Sequence, residues 1–305
     1  MNVPILYVIF NRPDHTRQSF EAIRAAKPAR LYIAADGPRD HKPEDKDRVG
    51  KVREIVSQVD WDCELKTLFR DENVGAGRGV SEAISWMFET EEMGIILEDD
   101  CVPTDSFFRF CKDLLQRYAH DTRVMHIAGT NHHPEFRRDP DYSYYFSYYG
   151  HMWGWATWKR AWAHYDIKLT HHREIIEKGL LYDVFGNQLA TKYFVKKVRD
   201  ALAAKVDAWD YQWDFIRMMQ SGMTIVPHTN LVKNIGFGEE ATHTFSANEA
   251  RAKNEAHDIQ FPLKHPPYVI RDAKADNHHF KSLMQRTVQR KVYGYLGING
   301  YDARG

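Results

Sequence analysis

The sequence predicts an α/β protein built on a mostly parallel, Rossmann-like sheet flanked by helices. Three observations lead there. Apolar, β-branched runs alternate with helix-period segments through the first hundred residues. Turn-forming residues punctuate them, as at Asn11-Arg12-Pro13-Asp14 and Asp36-Gly37-Pro38. The fourth run leads straight into Glu98-Asp99-Asp100, at the kind of strand end where open α/β sheets bind ligands.

Residues 3–10 (VPILYVIF) form a continuous apolar run, as expected of a buried parallel strand. Pro13-Asp14-His15-Thr16 then opens a helix with Phe20 and Ile23 on one face. Residues 31–35 (LYIAA) give a second buried strand, followed by a charged loop to about Lys46. Val49, Val52, Ile55, Val56 and Val59 recur at helical spacing. Residues 65–69 form a third strand, and Gly75-Ala76-Gly77-Arg78-Gly79 starts a helix with Ala83, Ile84 and Met87 inward. The fourth strand is 94–97. Residues 107–118 are amphipathic and helical, 124–128 a short strand, 192–205 a helix, and 222–227 a late strand. Residues 142–165 are saturated with aromatics, and four of the eight Trp lie between 153 and 162. Beyond His243 periodicity weakens, and 280–298 is a basic amphipathic tail carrying Arg286, Arg290 and Lys291.

The 305 residues carry 42 Lys plus Arg against 42 Asp plus Glu. Net zero charge argues against bulk electrostatic capture of nucleic acid and against disorder by self-repulsion. Cys63, Cys101 and Cys111 make no disulfide framework and no CxxC pair. The N-terminus has no basic leader or cleavage site, and no stretch approaches the ~20 apolar residues of a membrane helix. The expectation is a cytoplasmic protein, with the basic tail a candidate for peripheral contact with anionic lipid or simply a solvated face.

Three consecutive carboxylates at the end of a buried strand repel one another, and a hard divalent cation such as Mg²⁺ or Mn²⁺ removes that penalty. The competing reading is a solvated acidic turn or a cap for the following helix, a place Asp105 already fills. The glycines at 75–79 look like a phosphate loop but do not follow the first strand and lack the Gly-Lys-Ser/Thr ending, so on motif grounds a flexible pre-helix loop is favoured. Arg78 there suits a phosphate. Asp36 follows the second strand, where acids bind ribose or base edges, or simply serve the turn. Asp210 and Asp214 lie among Trp209, Tyr211 and Trp213, where desolvation suits a general base. Core packing of those rings is the equal alternative. The aromatic block reads mainly as core, with one or two rings for a sugar. His132-His133 and His171-His172 lack metal-pair spacing and read as surface residues. His243 is a loop histidine or a late-chain ligand.

Taken in order, these pieces resemble a GT-A fold glycosyltransferase. The motif Glu98-Asp99-Asp100 is similar to the acidic DxD-type motif in the N-acetylglucosaminyltransferase I-like group. The string HMWGWATWKRAW resembles bacterial haemolysis-associated nucleotide-diphospho-sugar transferases. The resemblance spans roughly 3–245. It implies a nucleotide-sugar-binding half (1–130), an acceptor and catalytic half (131–245) with a long helix after Gly154-Trp155, and a C-terminal extension (246–305). It further implies that Asp100 ligates Mn²⁺ or Mg²⁺, with His243 a further candidate ligand. Glu98 and Asp99 would hold metal waters and the ribose or sugar, and Asp36 the uracil. Arg12 and Arg78 would lie near the diphosphate, Trp209 would shape the sugar pocket, and the loop 236–243 would close over the donor. Asp210, with Asp214 the alternative, would deprotonate an acceptor hydroxyl on a glycan, a lipid-linked glycan or another molecule. The implied reaction is inverting transfer from a UDP-sugar by single displacement. The rivals are a sugar-1-phosphate nucleotidyltransferase, which would want a glycine-rich loop with Lys or Arg after the first strand, and a catalytically silent carbohydrate-binding protein.

Overall fold

The computed structural model describes residues 2–203, 205, 207–237 and 254–295, with side chains to 285. Its first part follows the predicted alternation: β1 (Ile5–Ile9), α1 (Pro13–Ala26), β2 (Arg30–Ala35), α2 (Glu44–Val56), β3 (Glu64–Phe69), α3 (Ala76–Thr90) and β4 (Met93–Glu98). These strands pair in parallel in the order β3-β2-β1-β4. Pro13 opens α1, where its missing N–H would have had no helical partner and its φ is already set. β3 is one edge strand of the sheet, and Leu65 and Phe69 remain 39% and 38% exposed.

Next come β5 (Cys101–Pro103), α4 (Asp105–Arg117), β6 (Val124–Ala128), β7 (Tyr144–Ser147) and β8 (Trp155–Trp158). Then follow α5 (Lys159–Trp162), α6 (His172–Glu177), α7 (Leu180–Phe185), α8 (Gln188–Leu202), α9 (Asp210–Met219), β9 (Met223–Pro227), β10 (Val232–Asn234) and α10 (Ala273–Tyr295). One eight-stranded sheet takes strands from both parts, in the order β3-β2-β1-β4-β8-β6-β9-β7. Six strands share a direction; β8 and β7 run against it. The chain is therefore α/β with a mostly parallel sheet. Among the described residues no helix is long and apolar enough to cross a membrane.

Several details differ from expectation. The aromatic block yields two strands, and Gly154-Trp155 leads not into a long helix but into β8 and the four-residue α5. Gly154 turns the chain with φ +63°, and a Cβ there would lie 2.7 Å from Val232 Cγ2. Trp155 and Trp158 favour a pleated, buried surface and supply both core faces of β8. Asp105 begins α4 instead of capping it; the amide of Ser106 donates to Asp258 Oδ1 at 3.3 Å. α8 opens at Asn187, whose Oδ1 accepts from the amides of Leu189 and Ala190 at 2.8 and 3.2 Å. α10 starts before the predicted tail, anchored by buried Asp276, which accepts from Ser147 Oγ and Arg271 Nε at 2.5 Å each.

The two faces of the sheet carry separate cores. On one, Ile5, Tyr7 and Ile9 pack with Phe20, Val52 and Val56 and with Phe107, Phe110 and Leu114 of α4. On the other, Leu6 and Ile96 pack with Ala83, Ile84 and Met87 and with a tryptophan cluster. Trp155 stacks on Trp209 at 5.4 Å and 18°, and Trp162 meets Trp213 at 5.1 Å.

Asp45 ties the loops after β1 and β2 together. It is buried, and it accepts from Asn11 Nδ2 at 2.6 Å and from the amide, Nε and Nη2 of Arg39 at 3.2, 2.6 and 3.0 Å. The Arg39 bonds chiefly hold its carboxyl down at about 2. A depressed folded value means the stabilisation is complete above the unfolded carboxylate value near ~3.9 and is lost as pH falls through the folded one. Asp45→Asn should cost about 1–3 kcal/mol at neutral pH. Urea denaturation should show the gap to wild type narrowing as pH drops from ~4 toward 2; a gap that widens in acid would overturn this account.

Candidate active site

β1 and β4 are neighbours, yet the chain leaves them toward opposite sides of the sheet, β1 to β2 and β4 toward β8. The crevice beyond their C-terminal ends is the switch point where open α/β sheets bind ligands. Arg12 stands there just after β1, and Glu98-Asp99-Asp100 stand there at the end of β4, with Val8 paired to Glu98.

The Asp99 side chain is 3% exposed and forms an ion pair with Arg12 Nη2. Its Oδ2 accepts from the amide of Phe10 at 3.3 Å, and its backbone oxygen accepts from Ser19 Oγ at 2.8 Å. Arg12 Nη1 reaches Asp100 Oδ2 at 3.2 Å. One guanidinium thus faces two carboxylates, with a third alongside. Burial, then the charges of Asp100 and Asp99, push the Glu98 carboxyl up to about 8. Burial also raises Asp99, with Arg12 opposing. For Arg12 burial is the largest influence and works against the charge, but the surrounding acids outweigh it and raise its proton affinity.

The segment after β10 lies over this group. The amide of Ile235 donates to the Asp100 carbonyl at 2.8 Å, and His15 Nε2 meets the Ile235 carbonyl at 3.1 Å. A Cβ on Gly236 would lie 2.3 Å from Asp100 Oδ2 and 3.0 Å from Arg12 Nη1, so any side chain there would have to push the Asp100 carboxylate and the guanidinium aside. Of the expected loop 236–243, Gly236 and Phe237 are described; His243 lies outside the described residues.

Asp36 uses both carboxylate oxygens on backbone amides: Gly37 at 2.9 Å, Val74 at 3.1 Å and Gly75 at 3.1 Å. It therefore holds the glycine-rich loop in place. That loop is capped from elsewhere in the chain: Asp207 accepts from the amides of Ala76 and Gly77 at 2.7 and 2.8 Å, a carboxylate at the start of α3. Arg78 pairs with Glu82 one turn along at 2.9 Å, and its side chain is 62% exposed.

The two acids of α9 lie in different surroundings. Asp210, in the first turn, lies close enough to Glu98 for its charge to raise that carboxyl, and it also acts on Tyr165, Lys197 and Tyr211. Asp214 is paired with fully buried Arg217 at 2.7 Å. Arg217 also donates to the carbonyls of Gly222 and Tyr148, so this acid serves the core. Trp209 is 5% exposed and stacked on Trp155. Its ring packs inside and offers no open face to a sugar; it fixes the start of α9 instead.

Two site neighbours escaped sequence reasoning. Lys197, on α8, sits 4.2 Å from the Tyr211 ring and feels both Asp210 and Asp214. Tyr165 donates to the Trp209 carbonyl at 3.3 Å. Neither has a local signal, because each meets α9 from another element. The surface reading of His132 and His133 is also corrected. His133 is 9% exposed, and both rings pack in a histidine and aromatic cluster.

A divalent cation fits the donor set, which is all hard carboxylate oxygen and carries more negative charge than Arg12 balances. Asp100 is the most exposed of the paired acids, at 18%. A single protein carboxylate completed by substrate phosphates and water is a common Mg²⁺ arrangement.

Comparisons with known proteins add partial likenesses. No protein-family model matches the chain. No curated protein matches it either. Among solved structures, the mannosyltransferase PcManGT from Pyrobaculum calidifontis, in complex with GDP-Man and Mn²⁺, aligns at TM-score 0.36 and 15% identity over 51% of this chain and 44% of that one. S. aureus TarS 1-349 aligns at 0.34 and 10% over 52% and 47%. The 4-diphosphocytidyl-2C-methyl-D-erythritol synthase from Anaerococcus prevotii DSM 20548 aligns at 0.33 and 8% over 61% and 85%. This chain spans less than half the length of the first two, and at such scores none of these likenesses assigns an activity.

Removing Arg12 leaves the Asp99 carboxylate buried without its guanidinium. Arg12→Ala should therefore destabilise the fold by about 3–5 kcal/mol, read by urea or thermal denaturation. A change within ~0.5 kcal/mol, as at an ordinary surface site, would show that the pair is not desolvated.

Proposed function

We propose that this protein is a glycosyltransferase that moves a hexose from a nucleotide-diphosphate donor, with a UDP-sugar the first choice, to an acceptor hydroxyl. The observation that carries the reading is the under-compensated acidic group at the switch point of the sheet, with Asp210 within its field.

Asp100 would hold Mn²⁺ or Mg²⁺, with Glu98 and Asp99 behind it. When bound, the ion supplies Lewis-acid neutralisation of the leaving diphosphate. Arg12 keeps Asp99 and Asp100 oriented and adds positive charge on the same side. Asp36 sets the path of the loop at 74–75, and this loop would supply backbone groups to the nucleotide base. Arg78 would swing from Glu82 to meet the donor's phosphates. The segment at 235–237 covers the acids and restricts water.

Asp210 is the base. It accepts the proton of the acceptor hydroxyl as that oxygen attacks the anomeric carbon, and the bond to the diphosphate breaks on the opposite face, inverting the centre. Asp214 is neutralised by Arg217 and stabilises the helix that carries the base. Tyr165 and Lys197 position that helix start.

Asp100→Ala should abolish metal-dependent transfer while leaving the melting temperature close to wild type. Full activity of this variant in the presence of a chelator would refute the assignment. Asp210→Asn should lower kcat by roughly 10²–10⁴ with little change in donor affinity. Asp214→Asn should chiefly lower stability. The reverse pattern, with Asp214→Asn lowering kcat in a stably folded protein, would exchange the two roles. A screen of nucleotide sugars for Mn²⁺-dependent hydrolysis without acceptor identifies the donor. Pyrophosphorolysis of the nucleotide sugar in place of hydrolysis would favour a nucleotidyltransferase. No nucleotide-dependent thermal shift with any donor would favour a binding protein.

A further inference from the structure

We propose that His133, Glu135 and His278 form a binding site for a borderline transition-metal ion of the Zn²⁺ class, separate from the acidic crevice. One ligand atom from each residue lies within 4.8 Å of the others. Among the described residues this is the group of His, Cys, Asp and Glu whose donors converge in this way.

The geometry suits the ion. Glu135 Oε1 is 3.5 Å from His133 Nδ1 and 3.5 Å from His278 Nε2. A tetrahedral centre with bonds of about 2.0–2.1 Å has ligand edges of about 3.3–3.4 Å, so both distances are close to closure. Two imidazoles and one carboxylate favour Zn²⁺ over the hard cations that an all-carboxylate site selects. Three protein ligands leave a fourth position for water.

The surroundings hold the ligands. His133 is 9% exposed, and its ring meets that of His279 at 5.3 Å. The His278 ring stacks on Phe136 at 4.9 Å and 22°. Glu135 is 66% exposed, giving an ion a route from solvent. The ligands come from two distant places. His133 and Glu135 lie on the segment after β6, and His278 lies on α10, already docked through Asp276 to Ser147. A bound ion would clamp α10 to the segment between β6 and β7. Sequence spacing shows only a His-x-Glu pair, with its third member 143 positions further on.

The test uses the full chain, stripped with a chelator and dialysed, then titrated with Zn²⁺ by calorimetry. Wild type should take up one tightly bound equivalent and gain thermal stability. Glu135→Gln changes an exposed side chain and should leave the metal-free melting temperature unchanged, yet weaken uptake at least tenfold and remove the thermal gain. His278→Ala should do the same. Co²⁺ should give four-coordinate absorption bands in wild type and not in Glu135→Gln. With 16 histidines in the chain, uptake alone is insufficient, and the difference between variants decides. Equal affinity and stoichiometry in wild type, Glu135→Gln and His278→Ala would overturn the proposal, as would no uptake by wild type. Either outcome would leave the cluster a plain histidine–glutamate ion pair. Mn²⁺-dependent nucleotide binding involves other residues and can succeed or fail independently.

Discussion

Negative charge at the end of β4, held out of water and faced by one guanidinium, is the constraint on which this architecture turns. Three acids in sequence cannot all ionise cheaply where Asp99 is buried, and the high position of Glu98 expresses that imbalance. The neighbouring structure contains it. Arg12 reaches the acids because Pro13 ends the loop and starts α1 at once. Ser19 on that helix holds the Asp99 backbone and meets the Tyr7 hydroxyl at 2.5 Å, tying β1, α1 and β4 into one rigid corner. Such a corner carries more negative charge than Arg12 balances, and a bound cation would offset it without rebuilding the strand ends.

The second part of the chain answers with a supporting wall. Trp155, Trp162, Trp209 and Trp213 fill the sheet face beneath α9, so the helix start rests on stacked rings instead of a mobile loop. Precision at Asp210 follows from that packing. The adjacent Asp214, one helical turn on, is committed to Arg217. Two acids four residues apart thus divide into one whose charge reaches Glu98 and one that braces the helix.

Much of this was legible in the chain. The buried runs 3–10, 31–35 and 94–97 are apolar on both faces, which only a covered parallel strand requires, and each became a strand. The acidic triplet was visible because its chemistry is costly without a partner. What stayed hidden depends on contacts across elements. The aromatic block concealed two short strands because continuous rings carry no clear period. Asp36 read equally as a base-binding acid or a turn acid, and only the fold shows its oxygens accepting from the amides of 37, 74 and 75. Asp207 caps α3 from 131 positions away, and no local pattern announces it. His133 passed for a surface residue because its partners, His278 and His279, arrive from the far end of the chain.

β8 has a consequence for how the protein can be divided. It enters the sheet between β4 and β6 and runs against both, although it follows them in the chain by tens of residues. A fragment ending near residue 130 would contain every acid of the triplet, yet β4 would present an unpaired backbone edge and Ile95 and Ile96 would lose cover. Exposed edges of that kind recruit other chains. Residues 1–130 are therefore not a separable module: β8, from the later part of the chain, closes the very strand that carries the acids.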